Sequence, residues 1–197
     1  MGQEQMALKV GRIIRASSTR FAVGCQVLRP QVPAFGSLVK VPAIDVDQIY
    51  GLIHDVRMED DPFVRQMAVI DEAPVEARQD QRLNRQVPID VSVLVVGYQR
   101  GEEIHHRLPP QPPLSLDEIH ACTTEELAAF TERFDYFRLV LDNGDLPVDE
   151  LLAANLRYAA AARGDDEDFL VSAGRELARL LAMDLYRLDA ILRRIRP

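Results

Sequence analysis

From Leu8 to Val56 the apolar residues come in short runs broken by glycine and proline, whereas beyond residue 115 they recur every three or four positions. The first pattern predicts strands and the second predicts helices. Leu8, Val10, Ile13 and Ile14 alternate loosely over Ala7–Arg15, a run that stops at the turn cluster Ser17-Ser18-Thr19. Phe21–Leu28 is a second run, closed by Pro30 and Pro33. Proline cannot donate to a ladder, so that closing segment reads as a loop or a strand edge. Leu38–Val41 sits between Gly36 and Pro42, and Asp45–Val56 carries Val46, Ile49, Tyr50, Leu52, Ile53 and Val56. Pro88–Tyr98, PIDVSVLVVGY, returns to a strand pattern that is one-sided at first and then wholly apolar. Short strands with turn signals between them, and Gly11, Gly24, Gly36 and Gly51 as punctuation, predict a small β-barrel.

Between these runs, Met58–Gln86 is charged and only weakly periodic, and reads as an insertion with one strand at Val64–Ile70 and a short helix after Pro74. Two Pro-Pro pairs in Arg107–Leu114, RLPPQPPL, favour stiff polyproline II. The segment is read as a strap between domains. It also holds two overlapping PxxP motifs, Pro109 with Pro112 and Pro110 with Pro113, that could dock on an aromatic groove.

After the strap, Thr123-Thr-Glu-Glu reads as a helix cap with acids in the first turn. A helix is expected through Leu127, Phe130, Phe134, Phe137 and Leu141, stopped by Asp142-Asn-Gly-Asp. Pro147 opens a second helix and Gly164 ends it. Asp165–Asp168 then load the start of one long final helix with Leu170, Leu177, Leu181, Leu188, Ile191 and Ile195 on its apolar stripe. The expected fold is therefore α+β: a barrel over residues 7–98, a proline-rich linker over 107–114 and a three-helix unit over 115–197.

Charge divides the chain unevenly. The net charge of −8 is carried almost wholly by residues 115–197, with 17 acidic and 10 basic side chains. An acidic chain without a continuous basic stripe is a poor non-specific ligand for nucleic acid, because that affinity comes from neutralising phosphates. The exception is the last stretch, where Arg175, Arg179, Arg187, Arg193, Arg194 and Arg196 outnumber the acids. Such arginines either compensate the helix dipole and pair with Asp184 and Asp189, or face a partner. Arg187, Arg193, Arg194 and Arg196, with Pro109, Pro110, Pro112 and Pro113, are the candidate partner surface.

Most catalytic chemistry finds no motif. The only lysines are Lys9 and Lys40, and neither follows a glycine, so no phosphate-cradling Walker loop can form. No GxSxG, HExxH or Cys–His signature is present. His105-His106 and His120-Ala-Cys122 come nearest to a metal cluster, but adjacent residues of a strand point apart. The acidic runs Glu59-Asp60-Asp61 and Asp165–Asp168 read as solvated. Cys25 and Cys122 are far apart, outside any CxxC pair, and read as buried thiols of a reducing compartment. The N-terminus MGQEQMALKV has no charged-then-apolar signal pattern, and position 6 is Met where a myristoylation start needs Ser or Thr, so a cytoplasmic protein is expected.

The spacing Val10-Gly11-Arg-Ile-Ile, Phe21-x-Val23, Gly36-Ser-Leu-Val39 and Tyr50-Gly51-Leu-Ile53 resembles the HAS barrel. This is the N-terminal barrel of HerA-type DNA-translocating ATPases and of ATP synthase catalytic subunits. With LPPQPP and the ending FLVSAGRELARLLAMDLYRLDAILRRIRP, the chain looks like small stand-alone bacterial proteins of that kind. The resemblance implies ring or partner contacts and, since the ATPase core is missing, carries over no catalytic residue. The expectation is a non-enzymatic assembly or adaptor module with no cofactor, linked to a protein partner, to self-association or to a DNA-processing or ATPase complex. The alternative is a nucleic-acid-associated factor that uses the barrel surface and the terminal arginines.

Overall fold

A computed structural model describes residues 8–27, 34–58 and 87–195. The strand expected at Val64–Ile70, the helix after Pro74 and the acids Glu59-Asp60-Asp61 lie outside the described residues, as does Arg196. The described strands are β1 (Lys9–Ala16), β2 (Arg20–Val27), β3 (Leu38–Pro42), β4 (Gln48–Met58), β5 (Val87–Arg100), β6 (Glu103–His105) and β7 (Glu118–Ala121). Five described helices follow: α1 (Thr124–Phe130), α2 (Tyr136–Leu141), α3 (Val148–Ala161), α4 (Glu167–Leu180) and α5 (Leu185–Ile195). The fold is α+β, with a closed antiparallel barrel followed by helices.

The sheet runs β2-β1-β7-β3-β4-β5-β6, and β2 also pairs with β5, so six of the described strands close on themselves and β6 hangs on the end of β5. Val10, Ile13, Val23, Val39, Ile49, Ile53, Val91, Val93, Val95 and Ile119 fill the barrel interior. An eight-strand barrel already has room only for side chains, so this smaller one is packed solid. On β3, β4 and β5 the alternate residues are buried too: Leu38, Tyr50, Leu52, Leu94 and Val96 pack outward against the helices. A strand covered on both faces reads as a continuous apolar run. That is why β5 loses its alternation after Ser92.

Several boundaries fall elsewhere than expected. The strand that completes the barrel, β7, lies beyond the proline segment. It pairs with β1 through Ile119 and Gly11 and with β3 through His120 and Lys40. Residues 107–114 therefore join two strands of one sheet instead of linking a barrel (7–98) to a separate helical unit (115–197). Nor is the helical part three helices. The expected helix through Leu127 and Leu141 breaks at Thr131, whose hydroxyl donates back to the Leu127 carbonyl at 2.7 Å. Arg163 then takes the Ala128 carbonyl and the Thr131 hydroxyl, which satisfies the end of α1 from outside. The long final helix breaks at Leu181–Asp184, and Asp184 starts α5 by accepting from the Arg187 N–H at 3.0 Å.

One contact sets the helices on the barrel. Gly36, at φ +84°, leads into β3, and a Cβ there would stand 2.5 Å from the Ala154 Cβ of α3. Only glycine tolerates both the conformation and the approach. Beside it the buried Asn155 donates to the Gly36 carbonyl at 3.2 Å and accepts from the Tyr136 hydroxyl at 2.8 Å. One amide thus joins barrel, α2 and α3. Asn155→Leu leaves two buried polar groups unpaired, and urea denaturation should show a loss on the order of 3 kcal/mol. Arg133→Ala, which removes only the exposed pair with Asp135, should cost under about 1 kcal/mol. Equal losses in the two variants would remove the special role given to Asn155.

Candidate interaction surfaces

Arg187, Arg193 and Arg194 all lie on α5, and their guanidinium groups are engaged. Arg187 Nε donates to Asp149 Oδ1 at 2.6 Å, in a half-buried pair. Arg194 donates to Glu150 and to the Ala190 carbonyl, while Arg157 of α3 donates to the Arg194 carbonyl at 2.6 Å. Asp149 and Glu150 occupy the first turn of α3, where carboxylates already suit the positive end of a helix. The arginines therefore fasten α5 to α3. Among the described residues Arg193 pairs only with Asp189, one turn earlier at 2.8 Å, and both stay exposed. Arg175 is exposed and without an ion pair among the described residues.

The prolines are divided by burial. Pro109 and Pro113 are buried, whereas Pro110 and Pro112 are exposed. Each PxxP motif thus has one proline turned into the protein, and neither presents the pair that an aromatic groove would read.

The histidines separate as adjacent strand residues should. His105 stacks on Tyr98 with ring centroids 4.9 Å apart, whereas His106 lies 4.6 Å from Phe130 and edge-on to Tyr136. His106 Nε2 is 3.0 Å from the Phe130 carbonyl, so Nε2 carries the proton and Nδ1 is a buried acceptor without a partner among the described residues. Burial pushes His106 below the ordinary histidine range, and burial next to Arg20 does the same to His54. Beside His106 an open cleft of about 440 Å³ separates β6 from α1, with Glu102, Glu103, Glu132 and Arg133 at its edge. Among the described residues its lining has no serine, threonine, cysteine or lysine; its polar groups are the two histidines, three glutamates and Arg133. No group of three or more His, Cys, Asp or Glu suited to a metal ion occurs among the described residues. Both cysteines are free; Cys25 lies in the barrel interior, and burial raises both thiols. No described helix is long and apolar enough to cross a membrane.

What the helical reading missed is apolar. The break between α4 and α5 leaves Met183 100% exposed, Leu185 69% and Tyr186 91%. One continuous helix hides this, since it treats 181–186 as two more turns of a stripe. Asp184 at the right distance before a fresh turn was the available signal. A second exposed group lies on the barrel, where Ile14 and Leu116 are 53% and 67% exposed. Leu116 sits at φ +72°, third in a turn closed by the Asp117 N–H donating to the Leu114 carbonyl at 3.3 Å. That position usually takes glycine or asparagine, and a leucine there is strained by about 1 kcal/mol or more.

No family model matches the chain, and no curated protein matches it either.

The two depressed histidines give stability a definite pH dependence. The unfolded chain takes up protons near the ordinary histidine pKa of about 6.5, before the folded protein does. Stability is therefore full above that pH and is lost as pH falls through 6.5 toward the folded values. The urea midpoint should fall between about pH 7.5 and 5.5, and His54→Gln with His106→Gln should flatten the fall. An unchanged slope in the double variant would sink this account.

Proposed function

We propose that the chain is a non-enzymatic assembly or adaptor module, a solid barrel carrying a helical unit whose exposed tip contacts protein. The observation that carries the reading is the tip itself. Methionine and tyrosine are among the side chains that anchor interfaces, and here they stand in water with no core of their own. The likeness of the barrel's glycine and apolar spacing to the HAS barrel supports the same reading, and it suggests a DNA-processing or ATPase complex as the setting. The cytoplasm suits it, given two unpaired cysteines. Among the described residues the cleft beside His106 offers no serine, threonine, cysteine or lysine to an enzymatic reading, and Arg187 and Arg194 are already paired with Asp149 and Glu150.

The test combines light scattering after size exclusion with a pull-down from native lysate, for the wild type and for Met183→Ser/Tyr186→Ser. Both side chains are solvent-exposed, so the double variant should keep the wild-type circular dichroism and unfolding midpoint while losing self-association or captured protein. A wild type that is strictly monomeric and recovers no protein would count decisively against the proposal.

A further inference from the structure

At the end of the sheet, β6 leaves one edge unpaired. Gly101 and Glu102 make the two-residue turn between β5 and β6, so Arg100 and Glu103 form a hydrogen-bonded pair, and Tyr98 with His105 the next one. Ile104, between them, therefore turns its N–H and C=O away from β5, and neither has another partner among the described residues. The hairpin that carries this edge is held at both ends. At the turn, Asp47 Oδ2 accepts from the Gly101 N–H at 2.5 Å, and Arg100 donates to the Asp45 carbonyl at 3.0 Å. At the other end, Arg107 Nε donates to the Tyr98 hydroxyl at 2.9 Å, and His106 donates to the Phe130 carbonyl at 3.0 Å. The edge is thus preformed. The cleft of about 440 Å³ runs along it from Glu102 to His106, with the end of α1 as the opposite wall. That volume falls within the roughly 300–1,000 Å³ of ligand sites.

We propose that this edge takes an extended, lysine- or arginine-bearing segment of another protein as an added strand. The inference goes beyond the contact through the α4–α5 tip and does not depend on it. Main-chain pairing is the first argument. A free strand edge presents a donor and an acceptor spaced for extended backbone, and an added strand draws affinity from those bonds and specificity from its alternate side chains. Charge then selects the segment. Glu102, Glu103 and Glu132 line the cleft, and Glu102 and Glu132 have no ion pair among the described residues. The cation of the lining, Arg133, is already paired with Asp135 at 2.6 Å. Burial keeps His106 below the ordinary histidine range, so it adds no positive charge at neutral pH. The cleft is therefore negative, and its field favours a cationic occupant. Glu103 and His105 share one face of β6, while Ile104 lies on the other and packs toward the helices. Basic side chains at alternate positions of the added strand meet Glu103, and the apolar ones between them lie over Ile104 and Phe130. A ladder on three residues of β6 is short, so the contact is an exchangeable one.

The experiment selects a displayed library of random peptides on the immobilised full chain and measures the recovered peptides by fluorescence anisotropy. They should alternate lysine or arginine with apolar residues, and bind less tightly as salt rises. Ile104→Pro removes an N–H that faces outward, which an edge strand tolerates, so the variant should keep the wild-type circular dichroism and bind about tenfold more weakly. Glu102→Lys/Glu132→Lys, at two exposed positions, should weaken the basic peptides by a similar factor. A further readout needs no substitution: the Ile104 amide should exchange freely in the unbound chain and become protected once peptide is bound. Recovery of no peptide, of peptides without a basic excess, or of peptides that leave the Ile104 amide unprotected overturns the proposal. Peptides lost with Met183→Ser/Tyr186→Ser bind at the tip, which overturns the edge site and leaves the tip reading standing. A wild type whose self-association disappears in Ile104→Pro has a second copy as occupant, and this overturns the proposal too.

Discussion

The helical part of this protein keeps its place because α3 comes closer to the barrel than any side chain at position 36 would permit. Gly36 meets Ala154 at a separation that would put two Cβ atoms 2.5 Å apart, and the neighbouring Asn155 locks the approach with two hydrogen bonds. α3 meets its neighbours with alanines, Ala153, Ala154, Ala159 and Ala160, all buried. Every other helix is then referred to it. Tyr136 brings α2 to Asn155, Arg163 ties the end of α1 to the end of α3, and Arg187 and Arg194 tie α5 to its first turn. The Arg163 guanidinium also lies 4.2 Å over the Phe169 ring, which brings in α4. Barrel and helices are for this reason one packed body.

The strands that alternate were legible in the residues, because a period of two over five or more positions has few other meanings. β1 to β5 fall close to the runs that predicted them. β7 was not legible: it is four residues long, its apolar signal is Ile119 alone, and its partners lie about a hundred positions earlier. The capping box at Thr123 and Glu126 was legible, since it is local. The breaks after Phe130 and Leu180 were not, because the apolar spacing runs straight through both, and the first is decided by Arg163, 32 residues beyond Thr131. The exposed tip vanished from the sequence reading together with the second break. The strain at Leu116 leaves no trace in a string of letters, since leucine expresses no preference for a positive φ.

Charge in this protein is used mainly inward. Arg20, the first residue of β2, reaches Asp145 and Asn143, Lys40 of β3 reaches Glu126 of α1, and Arg187 reaches Asp149. Each of these pairs crosses between elements that hydrophobic packing alone would allow to slide. The acidic excess at the start of α4 is a different matter, since it caps a helix and otherwise faces water. What distinguishes the surface is therefore its uncovered apolar side chains more than its ionic groups.

The placement of β7 has a consequence for how the chain comes into being. Synthesis delivers β1 to β5 in order, but the gap between β1 and β3 stays open until Glu118–Ala121 has emerged from the ribosome. Until then two strands present unpaired backbone edges, the kind that recruit other chains. Loop closure across more than a hundred residues also makes this step slow compared with the hairpins before it. A nascent chain halted in the proline segment would hold most of the barrel's sequence without its last stave. The segment between β6 and β7 thus marks the interval in translation during which these two edges stay uncovered.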